Sequence, residues 1–221
     1  MRNAMNRLGL LWLVCLLALG VCAPALAEEG ENLLANGGFE EVSGDMPAGW
    51  YRGMWVTTAG TTYIESSEDA HTGERAAMVD NVQPNDARLE QTVRVEPQTF
   101  YKLSAWVKAE DCGEGLKGAN VSFADVYGTS PDVHDTDGEW VELTLYARTA
   151  RDQREVTVMA RVGGYGSENT GRAWFDDISL VQVDEVPADA AYVDLATPEP
   201  QMPAQVDDGG PGAAEIATLF A

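Results

Sequence analysis

The sequence predicts an all-β fold, a β-sandwich of the jelly-roll type, and three observations predict it. Apolar and polar residues alternate with period two along residues 32–183, helical periodicity is nearly absent, and Gly, Pro, Asp and Asn break the alternating runs at short intervals. Many short strands separated by turn signals pack as a sandwich or jelly roll. A stretch of about 150 residues is the usual size for one core.

The strands follow in order. The first is expected near 33–40. Pro47-Ala48-Gly49 introduces a second near 50–56, and a third lies near 61–65. The motif containing His71-Thr72-Gly73 precedes 75–80, and 87–95 carries Leu89-Glu90-Gln91-Thr92-Val93. In 99–109, Tyr101, Leu103, Ala105 and Val107 form an apolar face, while Lys102, Ser104, Trp106 and Lys108 form the other, because successive side chains of a strand point to opposite sides. A strand near 118–126 comes next. In 139–147, Val141, Leu143 and Leu145 oppose Trp140, Glu142, Thr144 and Tyr146; in 154–163, Val156, Val158, Ala160 and Val162 alternate with Thr157, Met159 and Arg161. The last strand, 172–183, breaks its own alternation. Phe175 and Ile178 both read as buried, which predicts an irregularity at Asp176-Asp177.

The flanks differ from this domain. Arg2 and Arg7, the apolar run Leu8 to Val21 and the Ala25-Leu26-Ala27 site make residues 1–27 a cleaved signal peptide, so the mature chain begins at Glu28 and is secreted. The apolar run is short for a span of about 20 residues, and no membrane insertion of the mature chain is expected. Lipidation at Cys22 would need a small residue where Val21 stands. The domain occupies 28–183. Residues 184–221 are rich in proline, alanine and acid and read as a disordered linker or tail. That tail is either a spacer to a partner or the link to the rest of a larger enzyme or membrane protein.

Charge and cysteines exclude several function classes. Loss of residues 1–27 removes two arginines and no acid, taking the formal charge from −22 to −24. Nucleic acid and anionic membrane surfaces are thereby disfavoured as partners, and self-repulsion favours a monomer. Of three cysteines, only Cys112 lies outside the signal, so no internal disulfide forms; Glu110, Asp111 and Glu114 beside it should raise its pKa.

Several motifs then stand in order: Asn32-Leu33-Leu34-Ala35-Asn36-Gly37-Gly38-Phe39-Glu40, Pro47-Ala48-Gly49-Trp50, Ala70-His71-Thr72-Gly73-Glu74-Arg75, Leu89-Glu90-Gln91-Thr92-Val93, Tyr101 to Ala109, and Ala173-Trp174-Phe175-Asp176-Asp177-Ile178-Ser179-Leu180. Together they resemble a carbohydrate-binding module of the family 4/9 type, with the galactose-binding-like jelly-roll fold. The resemblance covers 32–183. It implies a structural calcium held by Glu40 and Asp176, with Asp177 as the alternative and carbonyls near Ser67 to Gly73 completing the set, since calcium takes six to eight oxygens.

It also implies a non-catalytic module for a polysaccharide or oligosaccharide. Aromatic rings would stack on sugar rings, and a few polar groups would bond hydroxyls. Candidates on polar strand faces are Trp106, Trp140, Tyr146, Arg88, Glu90 and Arg161; candidates on loops are Trp55, Tyr127 and Tyr165. Trp106 has a second reading, as a ring lying under a loop. Trp50, Tyr101, Trp140 and Trp174 read as structural. His71 and His134 belong to no recognisable triad, and no G-x-S-x-G, H-E-x-x-H or P-loop occurs, so no enzyme is expected. The rival to glycan binding is an extracellular interaction domain of the same fold. The two separate on whether the candidate rings share one surface. Affinity for a lone module should be on the order of 10⁻³ to 10⁻⁵ M.

Overall fold

A computed structural model describes residues 30–114 and 116–196. The expected signal peptide and the end of the tail lie outside the described residues. Two sheets face each other across one core. β3 (Tyr51–Met54), β6 (Ala87–Arg94), β10 (Glu155–Val162) and β8 (Ala119–Phe123) form a four-stranded sheet in that spatial order. The second sheet has six strands in the order β12 (Tyr192–Asp194), β9 (Val141–Arg148), β7 (Phe100–Glu110), β11 (Asn169–Val183), β5 (Ala76–Asn85) and β4 (Thr62–Ser67). A small ribbon of β1 (Val42–Ser43) and β2 (Met46–Pro47) leads into the domain. All pairs are antiparallel except β12 with β9. The chain is the all-β sandwich that its alternation predicts.

The alternation explains the core. Tyr101, Leu103, Ala105 and Val107 of β7 are buried against Leu89 of β6 and Val121, Val158 and Ala160 from the opposite sheet, all within one apolar cluster. Burying a large aliphatic side chain stabilises by about 1.5–3 kcal/mol, and the two inner faces do this along every central strand. The irregularity expected in the last strand is present. Phe175 and Ile178 are both buried, the β11–β7 register shifts between Asp176 and Ser179, and Asp177 takes a left-handed φ of 46°. A bulge of this kind inserts residues that the partner strand does not match, and so re-aims their side chains.

Two expectations need correction. Residues 33–40 are mostly turn, not strand: Asn36 and Phe39 have φ of 51° and 56°, which a strand cannot absorb. The segment is tied down instead by Asn32, whose amide donates to the Ile178 carbonyl at 2.9 Å and whose Oδ1 accepts the Leu180 N–H at 2.9 Å. The second concerns the tail. The chain does not leave the domain at Val183, because Tyr192–Asp194 add a parallel strand to β9 and Val193 enters the core.

Candidate functional site

The outer face of the four-stranded sheet gathers most of the candidate residues. On β6, Ala87, Leu89 and Gln91 turn inward, so Arg88, Glu90, Thr92 and Arg94 point out. Cross-strand register extends this face sideways. Arg161 and Gly53 flank Arg88, Met159 and Tyr51 flank Glu90, and Thr157 flanks Thr92. Arg88 Nε donates to Glu90 Oε1 at 2.5 Å. A Cβ on Gly53 would lie 2.2 Å from that Glu90 oxygen, so the missing side chain lets the ion pair rest across β3.

Aromatic rings rim this polar floor on two sides. Tyr51, on edge strand β3, is 70% exposed and Trp55, just past its end, is 38% exposed. The Trp55 N–H donates to the Asp86 carbonyl at 3.0 Å, so the β3–β6 pairing continues and puts Trp55 on the same side as Tyr51 and Gly53. On the far side, the Arg161 guanidinium lies 4.6 Å from the centre of the Tyr165 ring. Tyr127 packs edge-on against Tyr165, with ring centres 5.5 Å apart and planes at 75°. The Tyr165 hydroxyl accepts the Asp125 N–H at 3.0 Å. Strands lie about 4.8 Å apart, so the trough between the two rims is some two to three strands wide.

Arg161 is fully buried, and its charge is met by Asp86: Nε donates to Oδ1 at 3.0 Å and Nη2 to Oδ2. Such a buried pair costs several kcal/mol to break from one side, which makes it a rigid base for Tyr165. Further along the face, Thr92 and Thr157 hydroxyls pair at 2.7 Å, next to a cavity of about 180 Å³ lined by Asp125, Glu155 and Leu195 among others. A larger groove of about 1010 Å³ lies among Leu33, Arg94, Lys102, Tyr146 and Glu185; of the candidate residues read from sequence it includes Tyr146, on the six-stranded sheet.

Trp106 is not part of this face. It lies on the outer side of the six-stranded sheet, across the sandwich from Arg88 and Glu90, and His71 stacks on its ring at 4.0 Å with planes 11° apart. The loop reading therefore describes Trp106, and the stacking face expected for a sugar is taken by an imidazole. Trp140 and Trp174 share that side. Lys108 sits 5.4 Å from one ring centre and 4.5 Å from the other, ion-paired to Asp69. Trp50 is buried against Phe39 at 5.2 Å, and Tyr101 is core. Sequence reasoning missed Tyr51. The signal was present: once Trp50 is assigned to the core, alternation sends Tyr51 to the opposite side, with Gly53 and Trp55.

The two residues proposed as metal ligands close on one loop from both sides. Asp176 is fully buried; its Oδ2 accepts the His71 and Thr72 N–H groups at 2.8 and 3.0 Å, and its Oδ1 accepts the Asp177 N–H at 2.7 Å. Burial pushes its pKa up, against the pull of these amides. Glu40 Oε1 accepts the Glu74 and Arg75 N–H groups at 2.9 and 3.2 Å. Asp177 instead reaches His71 Nδ1 at 2.7 Å and Thr72 Oγ1 at 2.8 Å. Both carboxylates are thus met by peptide N–H groups of this loop, and among the described residues no group of three His, Cys, Asp or Glu side chains could hold a metal by itself.

No family model matches the chain. A protein of Streptomyces olivaceoviridis described as exochitinase 1 is 32% identical over 152 residues, which are 68% of this chain and 21% of that protein; the chain thus spans about a fifth of the relative's length. A structure of a proposed sugar-binding protein from Bacteroides thetaiotaomicron is 16% identical, with a TM-score of 0.51, over 69% of this chain and 100% of the other. TmCBM61, solved with β-1,4-galactotriose, is 19% identical over 69% of this chain and 99% of its own, at a TM-score of 0.47. The likeness to the Bacteroides protein is one of fold.

Proposed function

We propose that this chain is a secreted, non-catalytic glycan-binding module that takes its ligand on the outer face of the four-stranded sheet. The observation that carries the reading is the placement of Tyr51 and Trp55 on one rim, Tyr127 and Tyr165 on the other, and Arg88 and Glu90 between them. An apolar platform with a few placed polar groups is the usual composition of a small-ligand site. The match to about a fifth of an exochitinase supports a module that serves a hydrolase's substrate, so chitin and its oligosaccharides come first among ligands to test, with neutral β-linked glucans and galactans beside them. Relation to the family 4/9 type, and a signal peptide removed after Ala27, belong to the same reading.

The test is a glycan array followed by affinity measurements on Tyr51→Ala, Trp55→Ala and Tyr165→Ala. Each is expected to weaken binding by about tenfold, the effect of losing roughly 1.4 kcal/mol at a contact. No binding by the wild type to any glycan, with the fold intact, would favour the interaction-domain reading. Calcium joins the proposal through Glu40 and Asp176, where it would neutralise a buried carboxylate and tie the 71–75 loop to β11. EDTA is expected to lower the melting temperature and excess calcium to restore it; unchanged melts in both would remove the metal. Sedimentation should show a monomer.

A further inference from the structure

We infer that β12, contributed by the tail, is a strap that positions the tyrosine rim of the ligand face, with Val193 as the positioning residue. For its functional consequence this rests on the glycan-binding reading; for its geometry it does not. Ala191 accepts the Tyr146 N–H at 2.8 Å and Leu195 donates to the Arg148 carbonyl at 3.0 Å, so the strap is fastened to the edge of the six-stranded sheet at both ends. Its inward residues reach past that sheet. Val193 packs so closely on Gly128 that a Cβ there would lie 2.3 Å from Val193 Cγ1. Leu195 lines the same cavity as Phe123, Ala124 and Asp125.

The segment held in this way is the one that carries the rim. Tyr127 precedes Gly128 and braces Tyr165 edge-on, and the Asp125 N–H anchors the Tyr165 hydroxyl. Val126 between them is buried in the core. The strap therefore closes one side of segment 124–128, and the rings of the binding face close the other. A chain that binds glycan through this rim has its ring geometry set by residues on the path to whatever follows the domain, so tension or a partner on the tail would be felt at the site.

The complementarity of Val193 and Gly128 supplies the test. Gly128 does not have a left-handed φ, so Ala is acceptable to its backbone and only Val193 opposes it. In Val193→Ala the opposing methyl is gone, and a Cβ added at Gly128 would then meet the residue 193 Cβ at an ordinary 3.6 Å. Hydrogen–deuterium exchange on the full chain should therefore show Gly128→Ala raising exchange in peptides covering 119–130 by about tenfold, with peptides over 172–183 unchanged. Gly128→Ala with Val193→Ala together should return most of the way to wild type. Retention on chitin and on a neutral glycan panel is read in parallel and should follow the exchange. If Gly128→Ala leaves 119–130 unchanged, or the double variant exchanges faster than the single, the strap is overturned. If the wild type is retained by no glycan while the exchange pattern holds, the strap stands and the glycan reading falls.

Discussion

At the scale of the residue, Trp55 and Trp106 should fail in opposite ways. Trp106 spends one ring face on His71 and stands in the middle of β7. Trp106→Ala deletes that stack and leaves a gap on the outer side of the sheet. An expected loss of about 2–3 kcal/mol, below the cost of a fully buried ring, should be seen in urea melts with glycan affinity unchanged. Trp55 is partly exposed at a rim, so Trp55→Ala should cost stability less than about 1 kcal/mol and weaken binding by about tenfold. A Trp106→Ala variant that kept its stability and lost its ligand would move the site to the other sheet. Cys112 supports a second prediction at this scale. Burial, then the nearby Asp135 and Asp111, push its thiol from an ordinary 9.0 up to about 12. The folded protein should thus resist thiol reagents at pH 8 and react once unfolded. Between about pH 9 and 12 the unfolded chain gives up this proton first, so the thiol's contribution to stability falls as pH rises. Cys112→Ala should therefore flatten the alkaline limb of the stability curve.

At the scale of the element, the loop around Gly73 is the sharpest case. Gly73 has φ of +67°, and a Cβ there would stand 2.0 Å from Glu40 Oε1. Gly73→Ala meets both backbone strain and the carboxylate that accepts the next two N–H groups, so a loss of about 1–3 kcal/mol is expected in a thermal melt. A neutral outcome would mean that Glu40 does not hold the loop. Elements of this kind also mark what a sequence can reveal. The central strands were legible because apolar residues on β7, β9 and β10 recur every second position over eight or more residues. β12 was not, since three residues are too few for a period and its partner β9 lies far off in the chain. Residues 33–40 read as strand because Leu33, Leu34 and Phe39 are apolar, yet Asn36 and Phe39 adopt left-handed turns. The site was half legible for a related reason. Alternation says which residues of a strand face water, and it placed both Arg88 and Trp106 there correctly. It does not say which sheet a strand joins, and the two wet faces of a sandwich look in opposite directions. Only strand order, a long-range property, separates Trp106 from Arg88, Glu90 and Trp55.

At the scale of the whole molecule, charge dominates. The chain carries a formal −22 at neutral pH, yet the ligand face is locally balanced. Arg161 is matched by Asp86 and Arg88 by Glu90, so no unmatched cation of this cluster is offered to an anionic ligand. The field at the face is then set by acids elsewhere on the surface, which act over a screening length of about 10 Å at 0.1 M salt. A neutral glycan carries no charge for that field to act on, so its affinity should change less than about twofold between roughly 0.05 and 0.5 M NaCl. An acidic polysaccharide should be excluded at low salt and bind, if at all, more tightly as salt rises. That slope is opposite in sign to the one given by lysine and arginine contacts, so titrations of one neutral and one uronic-acid polymer across this range separate the cases. Tight low-salt binding of the acidic polymer that salt then releases would mean that Arg88 or Arg161 leaves its carboxylate for the ligand, and the balanced face would have to be abandoned.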